Sequence, residues 1–349
     1  MSTSTIASNT QQTPTVVDER TWHMPPWGWS LIGAVGILIA TATLGSAMLL
    51  SPLLQALTLA PYLVLVAVGQ MMVMTLGPGN IDISVAAVVS LSSYVSVAVA
   101  VVGGPVVGIV AGMGMGATVA LCSVLAILLL RVPPIIATLA TSLIATSATL
   151  VMADSSRGGA SKGLISFVNV KLIGIPVSAI LVGLVTVAVA FALKRTVYGV
   201  SVVAIGQNEK AAGKAGVPLS LTIACTYLLS GAMAGLSGAL LAAFISPSTG
   251  LGDSYLLDSV AVVVVGGTLV AGGRPSPFGL WTGALFFVLL SGLMNLVGWS
   301  LGAQNVLKGL LVVAVVLVSG TATPRARAKS RKTLARLKSS ARRKETHNG

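Results

Sequence analysis

The chain has 349 residues, of which 55% are hydrophobic and only 8% are charged. Soluble domains carry about 25% charged residues, so the composition excludes a soluble globular protein and indicates an integral membrane protein surrounded by the lipid bilayer. The net charge of +13 would suggest a nucleic-acid partner, but ten of the 21 basic residues follow Pro324. We therefore expect no nucleic acid as a partner and assign the basic character mainly to a C-terminal tail.

Residues 1–28 are predicted to form a disordered N-terminal segment that ends at the membrane surface. Its first part is rich in Ser, Thr, Gln and Asn, a composition typical of disorder. Trp22, Trp27 and Trp29 flank the pair Pro25–Pro26 at the first apolar span, and Trp is enriched at membrane–water interfaces. The segment has no apolar core after a basic start, so it is not expected to be a signal peptide.

Ten apolar stretches are long enough to be membrane helices, which need about 20 residues each. They fill residues 29–320, so the predicted fold is an all-α integral membrane protein with about ten transmembrane helices. Two glycine pairs, Gly112–Gly116 and Gly231–Gly235, have the four-residue spacing found where membrane helices pack closely. The predicted spans cover residues 29–50, 53–76, 82–103, 105–130, 134–153, 174–193, 220–246, 257–273, 277–298 and 303–320.

The distribution of basic residues predicts the side of the membrane on which each loop lies. With the N-terminus in the cytoplasm, 17 Lys and Arg residues lie inside, three lie outside, and Lys308 falls within the last span. The three outside are Arg157, Lys162 and Lys171, all in the loop 154–172. Cytoplasmic loops carry the excess of basic residues, so both termini are predicted to be cytoplasmic. The basic tail, residues 321–349, either lies against the anionic inner leaflet or stays solvated.

A polar segment, residues 194–219, separates the sixth and seventh spans and is predicted to contain a short cytoplasmic helix. Asn208 can cap the start of this helix, and Glu209 suits the positive end of its dipole. Gly216 can end the helix in a left-handed conformation, and Pro218 prevents its continuation. The alternative is an ordinary short helix in a loop. Small residues between the two ends leave one face bare enough for another protein to approach: Ala211, Ala212 and Gly213.

Two lone aspartates mark a faint internal repeat. Asp82 opens the third span and Asp258 opens the eighth, each at the start of a helix rich in Val and Ala. Three and eight differ by an odd number, so the two helices run in opposite directions, as in inverted-topology repeats whose interface commonly forms a transport path. The Gly-Pro-Gly segment 77–79 can break the chain before the first aspartate. The alternative is that both aspartates cap helices at the membrane surface.

Few residues of this chain can carry out chemistry. His23 and His347 lie near its two ends, and no phosphate-binding G-x-x-x-x-G-K-[ST] motif occurs. We therefore expect no catalytic site, no metal site and no bound cofactor. The candidates for lining a path across the membrane are the polar residues within or beside the spans: Gln70, Asn80, Asp82, Asp258 and Asn295.

Four motifs, in order, give the chain a resemblance to a known family. They are GNIDISV at 79–85, RVPPIIATLA at 131–140, AIGQNEKAA at 204–212, and the stretch from 257 to 273 that contains VGGT and AGG. These segments resemble, respectively, the I-D-[LIV]-S-V segment, the P-x-[FI]-I-[AV]-T-L helix start, the cytoplasmic EAA loop and the L-D…G-G-T…G-G segment of bacterial ABC-importer permeases. The branch they resemble is that of ribose and other monosaccharides.

The resemblance implies the fold of a type II ABC-importer permease, working as a homodimer or heterodimer in the bacterial cytoplasmic membrane. Separate ATPase subunits would consume ATP, and an extracytoplasmic solute-binding protein would deliver the solute. The helix at 208–216 would be the coupling helix that docks on the ATPase. The expected solute is a monosaccharide or related polyol. A related branched-chain amino-acid permease is the close alternative, and an ion-coupled secondary transporter that uses Asp82 and Asp258 is a more distant one.

Overall fold

A computed structural model describes Pro25 and residues 27–44, 50–155, 159–172 and 174–321 of the chain. Within these ranges the regular secondary structure is helical apart from one two-stranded hairpin, and each of the ten predicted spans contains a helix or an arm of a helix. The elements are α1 (Gly28–Leu44), α2 (Leu50–Thr75), α3 (Val85–Leu128), α4 (Pro134–Ser155), α5 (Lys162–Val168), β1 (Lys171–Leu172), β2 (Ile175–Pro176), α6 (Val177–Arg195), α7 (Val197–Lys214), α8 (Leu219–Ile245), α9 (Tyr255–Val265), α10 (Gly279–Leu296) and α11 (Leu301–Thr321).

Six of these helices, α2, α3, α4, α6, α8 and α10, are long and apolar enough to cross a membrane. Within the described residues, the apolar stretches of α1, α9 and α11 are shorter, at 10–17 residues, and those of α1 and α11 end where the full description of the chain ends. The count of ten spans is therefore approximate, although the all-α membrane fold is confirmed. The short α9 is the clearest departure, because the sequence predicted a span of ordinary length at 257–273.

Helix α3 holds two of the predicted spans as a tight hairpin. Gly104 has φ 83° and ψ 175°, a conformation open to glycine, and Pro105 follows it. The chain reverses there, so a first arm (85–103) and a second arm (105–128) lie side by side. A Cβ atom added to Gly108 would lie 2.6 Å from the carbonyl oxygen of Ser96 on the first arm. The glycine therefore allows the arms to touch backbone to backbone.

Helix α8 lies at the centre of the bundle against both arms of α3. The two glycine pairs singled out in the sequence face each other here. A Cβ atom on Gly235 would lie 2.5 Å from the carbonyl oxygen of Gly112, and the backbones of Gly116 and Gly231 are in direct contact. Gly238 packs in the same way on Val89 of the first arm. Small residues let membrane helices approach this closely.

The helix directions give the bundle two distinct ends. Helices α2 and α8 are antiparallel, since Ser237 Oγ donates to the carbonyl oxygen of Tyr62 at 2.8 Å while Gly69 packs on Ser230. The basic end holds Arg131, Arg195, Arg274 and segment 208–216. The loop end holds the Gly104 turn, residues 159–176 and residues 246–254.

Two contacts tie the loop end together. Gly163 of α5 lies against Pro105, and Gly159 lies against Ser246 at the end of α8. The long loop is thus partly built, with Ser161 Oγ accepting from the Leu164 N–H at 3.3 Å to cap α5, and with β1 and β2 pairing Lys171 to Pro176. Residues 1–24, Arg157 and the tail from 322 lie outside the described residues, so the predictions made for them remain predictions.

Candidate coupling segment and translocation path

Helix α7 bends at Asn208, where the short polar helix of the sequence analysis begins. Asn208 has extended dihedral angles, φ −165° and ψ 100°, inside an otherwise helical stretch. Its side-chain Oδ1 accepts a hydrogen bond from the Ala211 N–H at 3.1 Å. This is the capping contact predicted from the sequence, and it makes residues 209–214 a separate two-turn helix on the end of α7.

The short helix ends in the predicted glycine motif. Gly216 has φ 84°, its N–H donates to the Gly213 carbonyl at 3.1 Å, and the Val217 N–H donates to the Ala212 carbonyl at 3.1 Å. These two bonds satisfy carbonyl groups that the end of a helix leaves free. Because both ends are capped locally, the segment 208–216 holds its shape without help from a partner.

The prediction that Ala212 leaves a bare face for a partner is wrong. Ala212 is only 5% exposed and belongs to the apolar core of the chain. It points inward because the bend at Asn208 turns that side of the helix toward the bundle. The exposed positions of the short helix include Glu209, Lys210, Ala211 and Gly213.

Three chain segments meet backbone to backbone just before the bend. The Gly273 N–H donates to the carbonyl oxygen of Thr75 at the end of α2, at 2.9 Å. Gly206 of α7 fits against both Thr75 and Gly273, and Gly272 fits against Gly77. We call this contact the glycine joint (Thr75, Gly77, Gly206, Gly272 and Gly273). It connects segment 208–216 directly to the end of α2 and to the turn after α9. Sequence reasoning missed it, although the pair at 272–273 was visible in the fourth motif.

Asp82 lies deep in the bundle on a segment that re-enters it. One carboxylate oxygen accepts from the Ser84 N–H at 3.0 Å and the Ser84 hydroxyl at 2.6 Å, and the other accepts from Ser230 Oγ at 2.9 Å. Ser230 lies near the middle of α8, about 17 Å from its start, because an α-helix rises about 1.5 Å per residue. The alternative of a cap at the membrane surface is therefore wrong for Asp82, which is 1% exposed. Asn80 lies beside it and accepts from the Tyr227 hydroxyl at 3.1 Å.

A second re-entrant segment, residues 246–254, enters from the loop end. The Gly252 N–H donates to Ser90 Oγ on the first arm of α3 at 2.9 Å, and the Gly252 backbone lies against Ala86. Two broken segments thus approach each other from opposite ends of the bundle, one before α3 and one before α9. The sequence predicted a break at Gly77–Gly79 before Asp82, but it gave no prediction of the second re-entrant segment.

Asp258 forms an ion pair with Lys308. The Lys308 Nζ lies 2.9 Å from Asp258 Oδ2, and the two side chains are 7% and 13% exposed, respectively. The pair joins α9 to α11 and is the only ion pair found among the described residues. Sequence reasoning placed Lys308 in the last span without a partner. The sequence did contain a sign of this ion pair, namely two single charges of opposite sign within apolar spans. A charged side chain surrounded by hydrocarbon needs a partner of opposite charge.

The remaining two path candidates form no hydrogen bond with Asn80, Asp82 or Asp258 in the part of the chain that the structure describes. Gln70 is fully buried on α2, and neither its Oε1 nor its Nε2 has a hydrogen-bond partner within the described structure. Asn295 lies at the far end of α10 and accepts from Gln304 Nε2 at 2.7 Å. Asn80 and Asp82 lie on the same re-entrant segment, and the role of the five residues in a path stays a prediction.

A polar cavity lies in the half of the bundle nearer the loop end. Its volume is about 340 Å³, and it is bounded by the first arm of α3, by α4 and by the re-entrant segment 246–254. None of the five predicted path residues lines it. The sign of this cavity in the sequence was the row of hydroxyl side chains that follow each other at helical spacing on α4. The lining residues are Ala86, Ala87, Ser90, Ser142, Thr146, Thr149, Thr249, Asp253 and Leu256.

This architecture can be compared with known protein families. Residues 52–316 match the family described as the permease component of a branched-chain amino acid transport system. The chain belongs to this family. The membership confirms the predicted resemblance and makes the chain a multi-pass membrane permease component that is not itself an enzyme.

Individual relatives of the permease are import proteins of bacteria. It is 37% identical to the ribose import permease protein of Bacillus subtilis over 161 residues. The matched region covers 46% of this chain and 50% of that protein. It is 35% identical over 139 residues to the galactose/methyl galactoside import permease protein of Salmonella typhimurium, covering 39% and 41%. The matched part of the chain spans about half the length of these curated relatives. No solved structure matches the chain.

Proposed function

We propose that this chain is the membrane subunit of a binding-protein-dependent ABC importer and forms the path for a monosaccharide or related polyol. The observation that carries the proposal is the capped segment 208–216. It is exposed, holds its own shape, and is connected through the glycine joint to the ends of α2 and α9. A partner that moves this segment would move the end of α2, which leads into the first re-entrant segment, and the end of α9, which follows the second. The names of the relatives, which import ribose and galactose, support the choice of solute.

The proposed partners follow from this arrangement. Cytoplasmic ATPase subunits would dock on segment 208–216 and consume the ATP, so the permease itself would bind no cofactor. An extracytoplasmic solute-binding protein would deliver the solute at the loop end, and a second permease chain, identical or different, would complete the path. The basic end would face the cytoplasm, because it carries Arg131, Arg195 and Arg274.

A branched-chain amino-acid permease is the second candidate, and the family description favours it. A free amino acid carries a carboxylate, which needs a cation or several N–H donors. The nine residues that line the polar cavity include no cation. An ion-coupled transporter that used Asp82 and Asp258 would need a free acid at one of these positions, but Asp82 accepts three hydrogen bonds and Asp258 is paired with Lys308. The sugar importer therefore remains the better supported function.

The test is transport by the complete importer in proteoliposomes, with its binding protein and ATPase subunits. We expect ATP-dependent uptake from a panel of labelled monosaccharides and polyols, and none of leucine. Uptake that needed no ATPase subunit, or uptake of leucine alone, would contradict the proposal. Omitting the binding protein is the matched control and should abolish uptake.

A further inference from the structure

We propose that the polar cavity is a binding site for a neutral polyhydroxy solute on its way through the permease, and that Asp253 determines its specificity. The inference rests on the proposed function and deepens it by naming the residues that recognise the solute. Nothing in the sequence motifs points to this site, because its walls come from three separate parts of the chain.

The cavity has the size and position of a staging site. At about 340 Å³ it falls in the range of about 300–1,000 Å³ that is common for small-molecule sites. It lies beside the contact between Gly252 of the second re-entrant segment and Ser90 of the first arm of α3, toward the loop end, where a binding protein would release solute. A solute that leaves a binding protein there reaches this cavity before it reaches the level of Asp82.

The chemistry of the lining fits hydroxyl groups. Five Ser and Thr hydroxyls surround the space, and each hydroxyl can both donate and accept a hydrogen bond. Ser90 Oγ already accepts from Gly252, so its proton is free for another acceptor. Asp253 is the one charged residue of the lining, and its carboxylate oxygens can accept from two neighbouring hydroxyls of a sugar. Since no cation lines the cavity, it does not suit a phosphorylated or carboxylated solute.

One wall of the cavity is connected to the glycine joint. Asp253 lies two residues before α9 and Leu256 lies in the first turn of α9, whose far end leads into the joint at Gly272 and Gly273. A shift of α9 would therefore change the cavity from that side. This gives the site a means of releasing solute when the joint moves.

The first experiment compares matched variants in the complete importer. Asp253→Asn keeps the shape of the side chain but removes the charge, and Thr146→Val removes one hydroxyl of the lining. Ser147→Ala is the control, because Ser147 lies on the same helix outside the lining and bonds to its own helix at Leu143. We expect Asp253→Asn to lower sugar uptake about tenfold, the size of one charge-assisted hydrogen bond, and to reduce discrimination against deoxy analogues of that sugar.

The second experiment reports binding directly and does not depend on transport. A Thr146→Cys variant, with Cys122 and Cys225 replaced by Ser, is labelled with a maleimide in the presence of each sugar of the panel. We expect the transported sugar to slow labelling severalfold and leucine to leave it unchanged. Normal uptake with unchanged selectivity in Asp253→Asn, or labelling that no sugar slows, would overturn the site while leaving the importer function standing. Absence of ATP-dependent sugar uptake by the unaltered importer would instead refute the proposed function.

Discussion

The Asp258–Lys308 ion pair should be one of the strongest single links between α9 and α11. At 2.9 Å the attraction between the two charges is about 6 kcal/mol at an effective dielectric constant of about 20, before the cost of desolvation is subtracted. Asp258→Asn removes one partner and leaves the Lys308 ammonium buried at 7% exposure. Breaking a buried pair in this way costs about 3–5 kcal/mol.

Removing both charges should be far less harmful than removing one. Asp258→Asn combined with Lys308→Met leaves no buried charge, and replacing a buried pair by uncharged groups is often neutral or stabilising. We therefore expect each single variant to lower the melting temperature of the purified permease, and the double variant to recover most of the loss. The recovery corresponds to a coupling free energy of about 2–4 kcal/mol, because the two sites share one contact.

The assay is thermal unfolding in detergent of the four proteins of this double-mutant cycle, followed by size-exclusion chromatography of the soluble fraction. Asp154→Asn is the matched control, since Asp154 is an exposed acid at the end of α4 and should leave the melting temperature unchanged. Additive effects of the two single variants would refute the reasoning, because they would show that the charges do not stabilise each other in the folded protein.

Three further outcomes are expected. Gly206→Val should abolish uptake, because a side chain there collides with the backbone at Thr75 and Gly273, whereas Gly183→Val, at a glycine with open space around it, should be tolerated in the same uptake assay. Ala211→Trp, on the exposed side of segment 208–216, should reduce co-purification of the ATPase without lowering the amount of permease in the membrane; normal co-purification would make this segment an ordinary loop. In intact cells, an impermeant thiol reagent should label a cysteine placed at Lys162 but not one at Lys210, and the reverse pattern would invert the predicted orientation.

Local features of the chain were predictable because they depend on neighbouring residues. The spans follow from apolar length, and the short helix follows from Asn208 and Gly216, whose cap contacts and positive φ are those the sequence predicted. The hairpin in α3 joins two predicted spans through Gly104, at the boundary that the sequence placed between them. Such features need no knowledge of what packs against them.

Features that depend on distant contacts were not predictable in the same way. The short helix carries small residues on several sides, so composition could not show that Ala212 faces inward. The polar cavity takes its walls from α3, α4 and the segment before α9, and its hydroxyls are individually ordinary for membrane helices. The partner of Lys308 lies 50 residues away, and the sequence analysis considered each charge by itself.

The interlocked glycines of α3 and α8 restrict how this protein can move. Gly116 and Gly231 touch backbone to backbone, as do Gly112 and Gly235, so neither helix can slide along the other without steric collision. Side chains can absorb a small displacement by changing rotamer, but a contact between two backbones has no such freedom. The hairpin of α3 and helix α8 should therefore behave as one rigid block through a transport cycle. Opening and closing would then fall to the elements around that block, so spectroscopic labels on α3 and α8 should keep a constant separation while labels on α9 change theirs.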